Sequence, residues 1–216
     1  MARRKKEPLS AHREKITSAA TALFMEKGVE ATTVDEIAKS AGYSKATLYV
    51  YFQNKEEIYF SLVYRHMEKL CETIGNVVGS KADSQKEWIE NYLEICFYVQ
   101  KLCREYPIYF EGMIGNINVD ITSDKTPQIY KDIYSLGLHM GELVKKMLDR
   151  GVELGYFESA VDTNAIMIFL WSSLSGIVRM SEHKTAYYAL LGLDNDEFLK
   201  KEFLSLLTGC KNMQGD

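Results

Sequence analysis

Apolar residues recur three and four positions apart along almost the whole chain. Ile16, Ala19, Ala20, Leu23 and Phe24 make one such stripe, and Gly28 after Lys27 predicts the end of a first helix begun near Ser10. A second helix opens at Thr33, where a T-x-x-E capping box with Glu36 precedes the inward Ile37 and small Ala38, and it stops at Gly42. Ser44 starts a short third helix that buries Leu48 and Phe52. Asn54-Lys55-Glu56-Glu57 then caps a long fourth helix carrying Ile58, Leu62 and Met67, which exits through 75–83. Ser84 opens a helix with Trp88, Tyr92, Ile95, Val99 and Leu102 that ends before Pro107, and a short helix is expected from Tyr109 to Ile114. After a polar loop through Pro127, Ile129, Ile133, Leu136, Met140, Val144 and Met147 mark another helix, punctuated by Gly151 and Gly155. Asp162 caps a very apolar helix to about His183, and Asp194 caps a last one with Phe198, Phe203, Leu206 and Leu207. No segment alternates as a strand does and no repeat is visible, so the expected fold is all-α. Its expected division is a three-helix helix-turn-helix domain at 1–55 and a larger all-helical domain at 56–216.

The helix–glycine–helix run from Thr33 to Phe52 is the informative part, because a second helix of only about two turns, polar and basic at its start, suits the major groove of duplex DNA. A helical hairpin with a glycine turn that binds nothing would look similar in outline. Charge separates the two. The chain has 26 Lys and Arg against 30 Asp and Glu, a formal charge of −4, yet residues 1–65 hold 11 basic against 8 acidic side chains. Arg3-Arg4-Lys5-Lys6 reads either as a solvated terminus or as an arm that reaches phosphates or the adjacent minor groove.

The remaining composition narrows the class. The longest apolar stretch, 165–171, is far too short to span a bilayer and no secretory segment is visible, so a cytoplasmic location away from membranes is expected. Cys71, Cys96, Cys103 and Cys210 have no C-x-x-C or metal-ligand spacing, which predicts reduced thiols and no metal or other cofactor. Cys96 and Cys103, seven apart on one helix face, leave open a thiol-based sensor beside the reading as buried structural cysteines. No phosphate loop, nucleophile elbow or His/Glu metal pair supports an enzyme or carrier.

Thr32-Thr33-Val34, Glu36-Ile37-Ala38, Ala41-Gly42, Ser44-Lys45-Ala46-Thr47-Leu48-Tyr49, Tyr51-Phe52 and Asn54-Lys55-Glu56-Glu57 together resemble the N-terminal signature of the tetracycline-repressor (TetR) family. The resemblance is dense over about residues 14–60; beyond them it is one of helix number and length. It implies major-groove contacts from Ser44, Lys45, Ala46 and Thr47, and phosphate contacts from Tyr49, Tyr51, Thr33 and Lys55. Tyr43 and Tyr51 depart from the family's frequent Val and His. Leu48 and Phe52 are read as core, and Val50 as facing either a thymine methyl or solvent.

One recognition helix covers few base pairs, so a homodimer on a palindromic operator is expected. The Asp162 helix has a side bearing Ser172, Ser175, Gly176 and Arg179, which with the last helix would form the four-helix dimer interface the resemblance implies; an internal core helix of a monomer is the alternative. Between helix four and that interface, aromatic and Met side chains exceed what one core needs. They suggest an apolar effector pocket with Tyr92, Cys96, Phe110, Met113, Tyr134 and Trp171 as lining residues, taking an uncharged flat or lipophilic ligand. The functional reading is a dimeric transcriptional repressor released by a small molecule through movement of helix four. A regulator that senses no ligand is the second reading, and a helical enzyme or carrier the third.

Overall fold

First-turn chemistry starts most of the helices where the sequence places them. The structure, a computed structural model, describes residues 8–115, 119–159 and 161–211, and the elements named below are those of the described residues. The first six are α1 (Leu9–Lys27), α2 (Val34–Ser40), α3 (Lys45–Tyr51), α4 (Lys55–Gly79), α5 (Gln85–Glu105) and α6 (Pro107–Ile114). They are followed by α7 (Gln128–Glu153), α8 (Thr163–His183), α9 (Thr185–Leu190) and α10 (Asn195–Cys210). Ser84, Asp162 and Asp194 accept hydrogen bonds from the first-turn amides of α5, α8 and α10, as their side chains predict. Two elements differ from expectation. α6 begins at Pro107, where a ring with no N–H and a fixed φ costs a helix nothing. α9 was not expected, because six residues are too few to show a periodic stripe. The basic run at 3–6 lies outside the described residues.

The chain divides into two compact units, Met1–His66 with Ile108–Asp132, and Met67–Pro107 with Ile133–Asp216. In the first, α1, α2 and α3 close over Ile16, Ala20, Phe24, Ile37, Leu48 and Phe52, all at most 1% exposed. This unit extends beyond residue 55 because α6 seats on Lys55–His66. Gly112 lies so close to α4 that a Cβ there would stand 2.5 Å from Tyr59 Oη and 2.6 Å from Val63 Cγ2. The Tyr59 hydroxyl donates to the Ile108 carbonyl at 2.9 Å, and burial pushes its phenol up to about 12.

In the second unit α5, α8 and α10 pack on one another. Trp88 is wedged against Gly151 and donates its indole N–H to the Met147 carbonyl at 2.7 Å. Arg104 holds both oxygens of Glu182 at 3.0 Å and Asp196 at 2.9 Å, tying α5, α8 and the start of α10 together. The Asp196 carboxyl is lowered by hydrogen bonds from Gln100 and Arg104. Among the described residues, no helix is long and apolar enough to cross a membrane, and no three His, Cys, Asp or Glu stand together as metal ligands.

Cys96, Cys103 and Cys210 are buried. Burial pushes the Cys96 thiol up to about 12 and that of Cys210 up to about 11, which keeps both protonated and poorly nucleophilic near neutral pH. Alkylation of the native protein at pH 8 is therefore expected at half-buried Cys71 well before these three, with mass spectrometry as the readout. Fast modification of Cys96 or Cys103 in the folded chain would count for the sensor reading instead.

Candidate nucleic-acid interface

The capping box predicted at Thr33 is formed. The Thr33 hydroxyl accepts from the Glu36 amide at 3.3 Å, while the Glu36 carboxylate accepts the Thr33 amide at 2.9 Å and its hydroxyl at 2.8 Å. Lys27 pairs with the same carboxylate, and with Thr33 it lowers Glu36 to about 2. Gly42 takes φ +75°, the left-handed turn that lets the Tyr43 amide return to the Ala38 carbonyl at 2.8 Å and aim the chain into α3.

Ser44 caps α3 by accepting from the Thr47 amide at 3.1 Å, and its hydroxyl meets the Thr47 hydroxyl at 2.8 Å. Leu48 and Phe52 turn inward, as expected. That leaves Lys45, Ala46, Tyr49 and Val50 exposed on the outer side of the helix, with Thr47 half-buried. Val50 is 74% exposed, so its side chain is free for an apolar contact and has no part in the core. Lys45 pairs with Asp35 at 3.0 Å, and that carboxylate raises the lysine above its ordinary value.

Tyr51 is half-buried and belongs to a cluster that the sequence did not disclose. His12 of α1 stacks on its ring, centroids 5.0 Å apart and planes at 26°, while His12 Nδ1 and the Tyr43 hydroxyl lie 2.6 Å apart. Next to it, Arg13 donates to the Tyr51 carbonyl and to Glu57 at 3.3 Å, with its guanidinium 4.0 Å over the Phe52 ring. The two positions that depart from the family pattern, Tyr43 and Tyr51, are thus joined through one histidine. Nothing in the spacing of α1 signals this, because His12 and Arg13 occupy what reads as its solvated face.

Lys55 sits at the start of α4, but its ammonium donates to the Val29 carbonyl at 2.7 Å and the Glu30 carbonyl at 3.3 Å, holding the α1–α2 loop. Asn54 accepts from the Glu57 amide at 2.7 Å, while the Glu57 carboxylate reaches Gln53 instead of Asn54. Ser44, Lys45, Ala46, Thr47 and Tyr49 are therefore brought together on one short helix. Thr33, Tyr51 and Lys55 surround it with side chains already engaged locally.

A sequence profile described as "Bacterial regulatory proteins, tetR family" matches residues 16–62, the segment that builds this surface. Over 198 residues the chain is 26% identical to the uncharacterized HTH-type transcriptional regulator YdgC of Bacillus subtilis, covering 90% of each. Residues 16–62 are a TetR-family regulatory segment. The biofilm operon icaADBC negative transcriptional regulator IcaR of Staphylococcus aureus is 28% identical over 200 residues, spanning 88% of this chain and all of IcaR. In fold, the regulator is similar to FadR of Bacillus subtilis, solved in complex with stearoyl-CoA, with a TM-score of 0.63, 19% identity and coverage of 94% and 99% of the two chains. The family and these relatives are regulators, not enzymes.

The other predicted residues fall less neatly. Of the proposed dimer side of α8, Ser172, Gly176 and Arg179 are exposed but Ser175 is only 6% exposed. It follows Leu174 and precedes Val178 by three, so it turns inward with them. Tyr92 donates its hydroxyl to the Phe203 carbonyl at 3.1 Å and Cys96 is wholly buried one turn away, so both belong to the packing of α5 and α10. Phe110 is buried and Met113 half-buried in α6 of the first unit, while in the second Trp171 is half-buried and Tyr134 is 47% exposed. None of these six lines the cavity of about 490 Å³ within the second unit, which is bounded by α4, α5 and α7.

Proposed function

We propose that this regulator is a cytoplasmic homodimer that represses transcription from a partly palindromic operator and is released by a small-molecule effector. The observation that carries the reading is the two-sided α3. Its inner side is pinned by Leu48, Phe52 and the Arg13 contacts, and its outer side offers Lys45, Ala46, Tyr49 and Val50 to solvent. Ser44 and Thr47 join that surface at its start, and Thr33, Tyr51 and Lys55 supply flanking contacts to the phosphate backbone. Repression is supported by the printed role of IcaR as a negative regulator, and a small effector by the stearoyl-CoA complex of FadR. In this reading residues 1–55 read DNA and 56–216 bind the effector and dimerise. Ser172, Gly176 and Arg179 lie at the dimer contact, and α4, shared by both functions in sequence, carries the change between them.

Selection of bound genomic fragments should return an enriched palindrome, bound more weakly as salt rises. Lys45→Ala should cost about 1–3 kcal/mol and relax base preference, whereas Lys55→Ala should weaken all duplexes alike and loosen the α1–α2 loop. A selection with no palindrome would overturn the reading.

A further inference from the structure

His12, Tyr43 and Tyr51, each half-buried, come from separate places in the chain and close on one another at the edge of the α3 surface. The ring centroids of His12 and Tyr51 are 5.0 Å apart, those of His12 and Tyr43 5.8 Å, and those of Tyr43 and Tyr51 6.2 Å. Tyr43 directly precedes the Ser44 cap. Tyr51 follows Ser44 by seven positions and Thr47 by four, so it lies on their side of α3. The three rings therefore border the residues read as meeting DNA and stand outside the core around Leu48 and Phe52.

One bond in this cluster can run in either direction. His12 Nδ1 and the Tyr43 hydroxyl lie 2.6 Å apart. A neutral imidazole with its proton on Nε2 accepts the Tyr43 proton at Nδ1, whereas an imidazolium can only donate, and the Tyr43 oxygen then accepts. In the second arrangement the phenol's own proton is free for an outside acceptor. Tyr43 faces the imidazole from the turn before α3, and Tyr51 faces it from α3 with the planes at 26°, a π-face that attracts a cation. Arg13 is its neighbour on α1, with that charge paired to Glu57 of α4 at 3.3 Å. Imidazole is the side chain whose ordinary charge change falls between about pH 5 and 8, where a cell can exploit it.

We propose that His12 is a positioning residue for DNA binding, which on taking up a proton turns the Tyr43 hydroxyl outward as a donor to a backbone phosphate beside α3. The proposal rests on the DNA-binding reading above and adds to that interface two residues, His12 and Tyr43, and a regulator, the proton. A phosphodiester stays ionised throughout, so each chain that binds takes one proton from the buffer and holds it on the imidazole. Linkage fixes the sign. Binding that takes up a proton tightens as pH falls, and bound DNA in return holds the proton on His12. Because the acceptor is a phosphate, the effect does not depend on base sequence.

The test is the affinity of the full chain, by fluorescence anisotropy at fixed ionic strength, for a duplex selected from the genome and for one of mixed sequence. The wild type should bind both about five- to twentyfold more tightly at pH 6 than at pH 8. Tyr43→Phe keeps the ring and loses the hydroxyl, so it should stay near the weaker, pH 8 level throughout. His12→Phe keeps a ring on Tyr51 and loses the nitrogen that holds the phenol's proton, so it should be equally flat but at or above that level. A merely structural role would instead lower the affinity of both variants by one factor at every pH. Nitrogen NMR of the wild-type chain needs no variant: at pH 7 the mixed-sequence duplex should move the His12 ring nitrogens to their protonated signature. The proposal is overturned by wild-type affinity that is flat in pH, by variants that keep the slope, or by His12 nitrogens that DNA leaves unchanged. Binding to neither duplex removes the DNA-binding reading as well, whereas tight binding that ignores pH removes this proposal alone.

Discussion

Gly176→Glu should leave a folded monomer at micromolar concentration and lower operator affinity at least about a hundredfold, the scale on which a second linked half-site adds to the first. The exposed side of α8 carries Ala165, Ile168, Ser172, Gly176 and Arg179, and a Cβ at Gly176 would meet nothing within 4 Å. The isolated chain can therefore carry the new side chain without strain. In a two-fold dimer through this face the same change appears twice across a close helix contact, and two desolvated carboxylates repel each other. Sedimentation gives the mass, and the melting of the first unit shows whether the fold survives. A dimeric variant with unchanged affinity would place the interface elsewhere.

Arg13→Ala should destabilise the first unit by about 2 kcal/mol, taking a half-exposed guanidinium that makes a backbone bond, an ion pair and a ring contact. What is lost is the anchor of the C-terminal end of α3: the bond to the Tyr51 carbonyl, the pair with Glu57 and the cover over Phe52. Amide hydrogen exchange in α3 should speed up about thirtyfold, the factor equivalent to that energy, while α5 and α8 stay protected. Arg13→Lys should recover only part, since an ammonium cannot reproduce the planar fork. Unchanged exchange in α3 would show the anchor to be dispensable.

The helix starts at Thr33, Ser44, Ser84, Asp162 and Asp194 were legible because a cap acts over two or three residues and leaves its signature in the local order. The gathering of Ser44 to Tyr49 on one short helix was legible for the same reason, as they are neighbours in the chain. The contacts that secure it were not. His12 meets Tyr43 across 31 residues and Arg13 meets Tyr51 across 38, and no periodicity encodes which polar side chain on a helix finds a partner so far away. Ser175 shows the limit of a stripe drawn by residue size, since one position of helical rotation puts it among Leu174 and Val178. Tyr92 and Cys96 show the limit of composition. An aromatic beside a thiol reads equally as a pocket wall or as packing, and only the Phe203 carbonyl decided for packing.

The His12–Tyr43–Tyr51 cluster bears on how this regulator could be re-engineered. A recognition helix is often treated as a cartridge, exchanged between homologues to move specificity from one promoter to another. Here the cartridge is wired to the preceding scaffold, because Tyr43, two residues before α3, and Tyr51, which ends it, share one imidazole from α1. A graft of 43–51 alone from a relative with Val and His at the two tyrosine positions would strand His12 between unmatched neighbours and rotate the transplanted reader. The transferable cassette begins at residue 12, and promoter-swapping libraries built on this chain should vary positions 12, 43 and 51 as a single codon set.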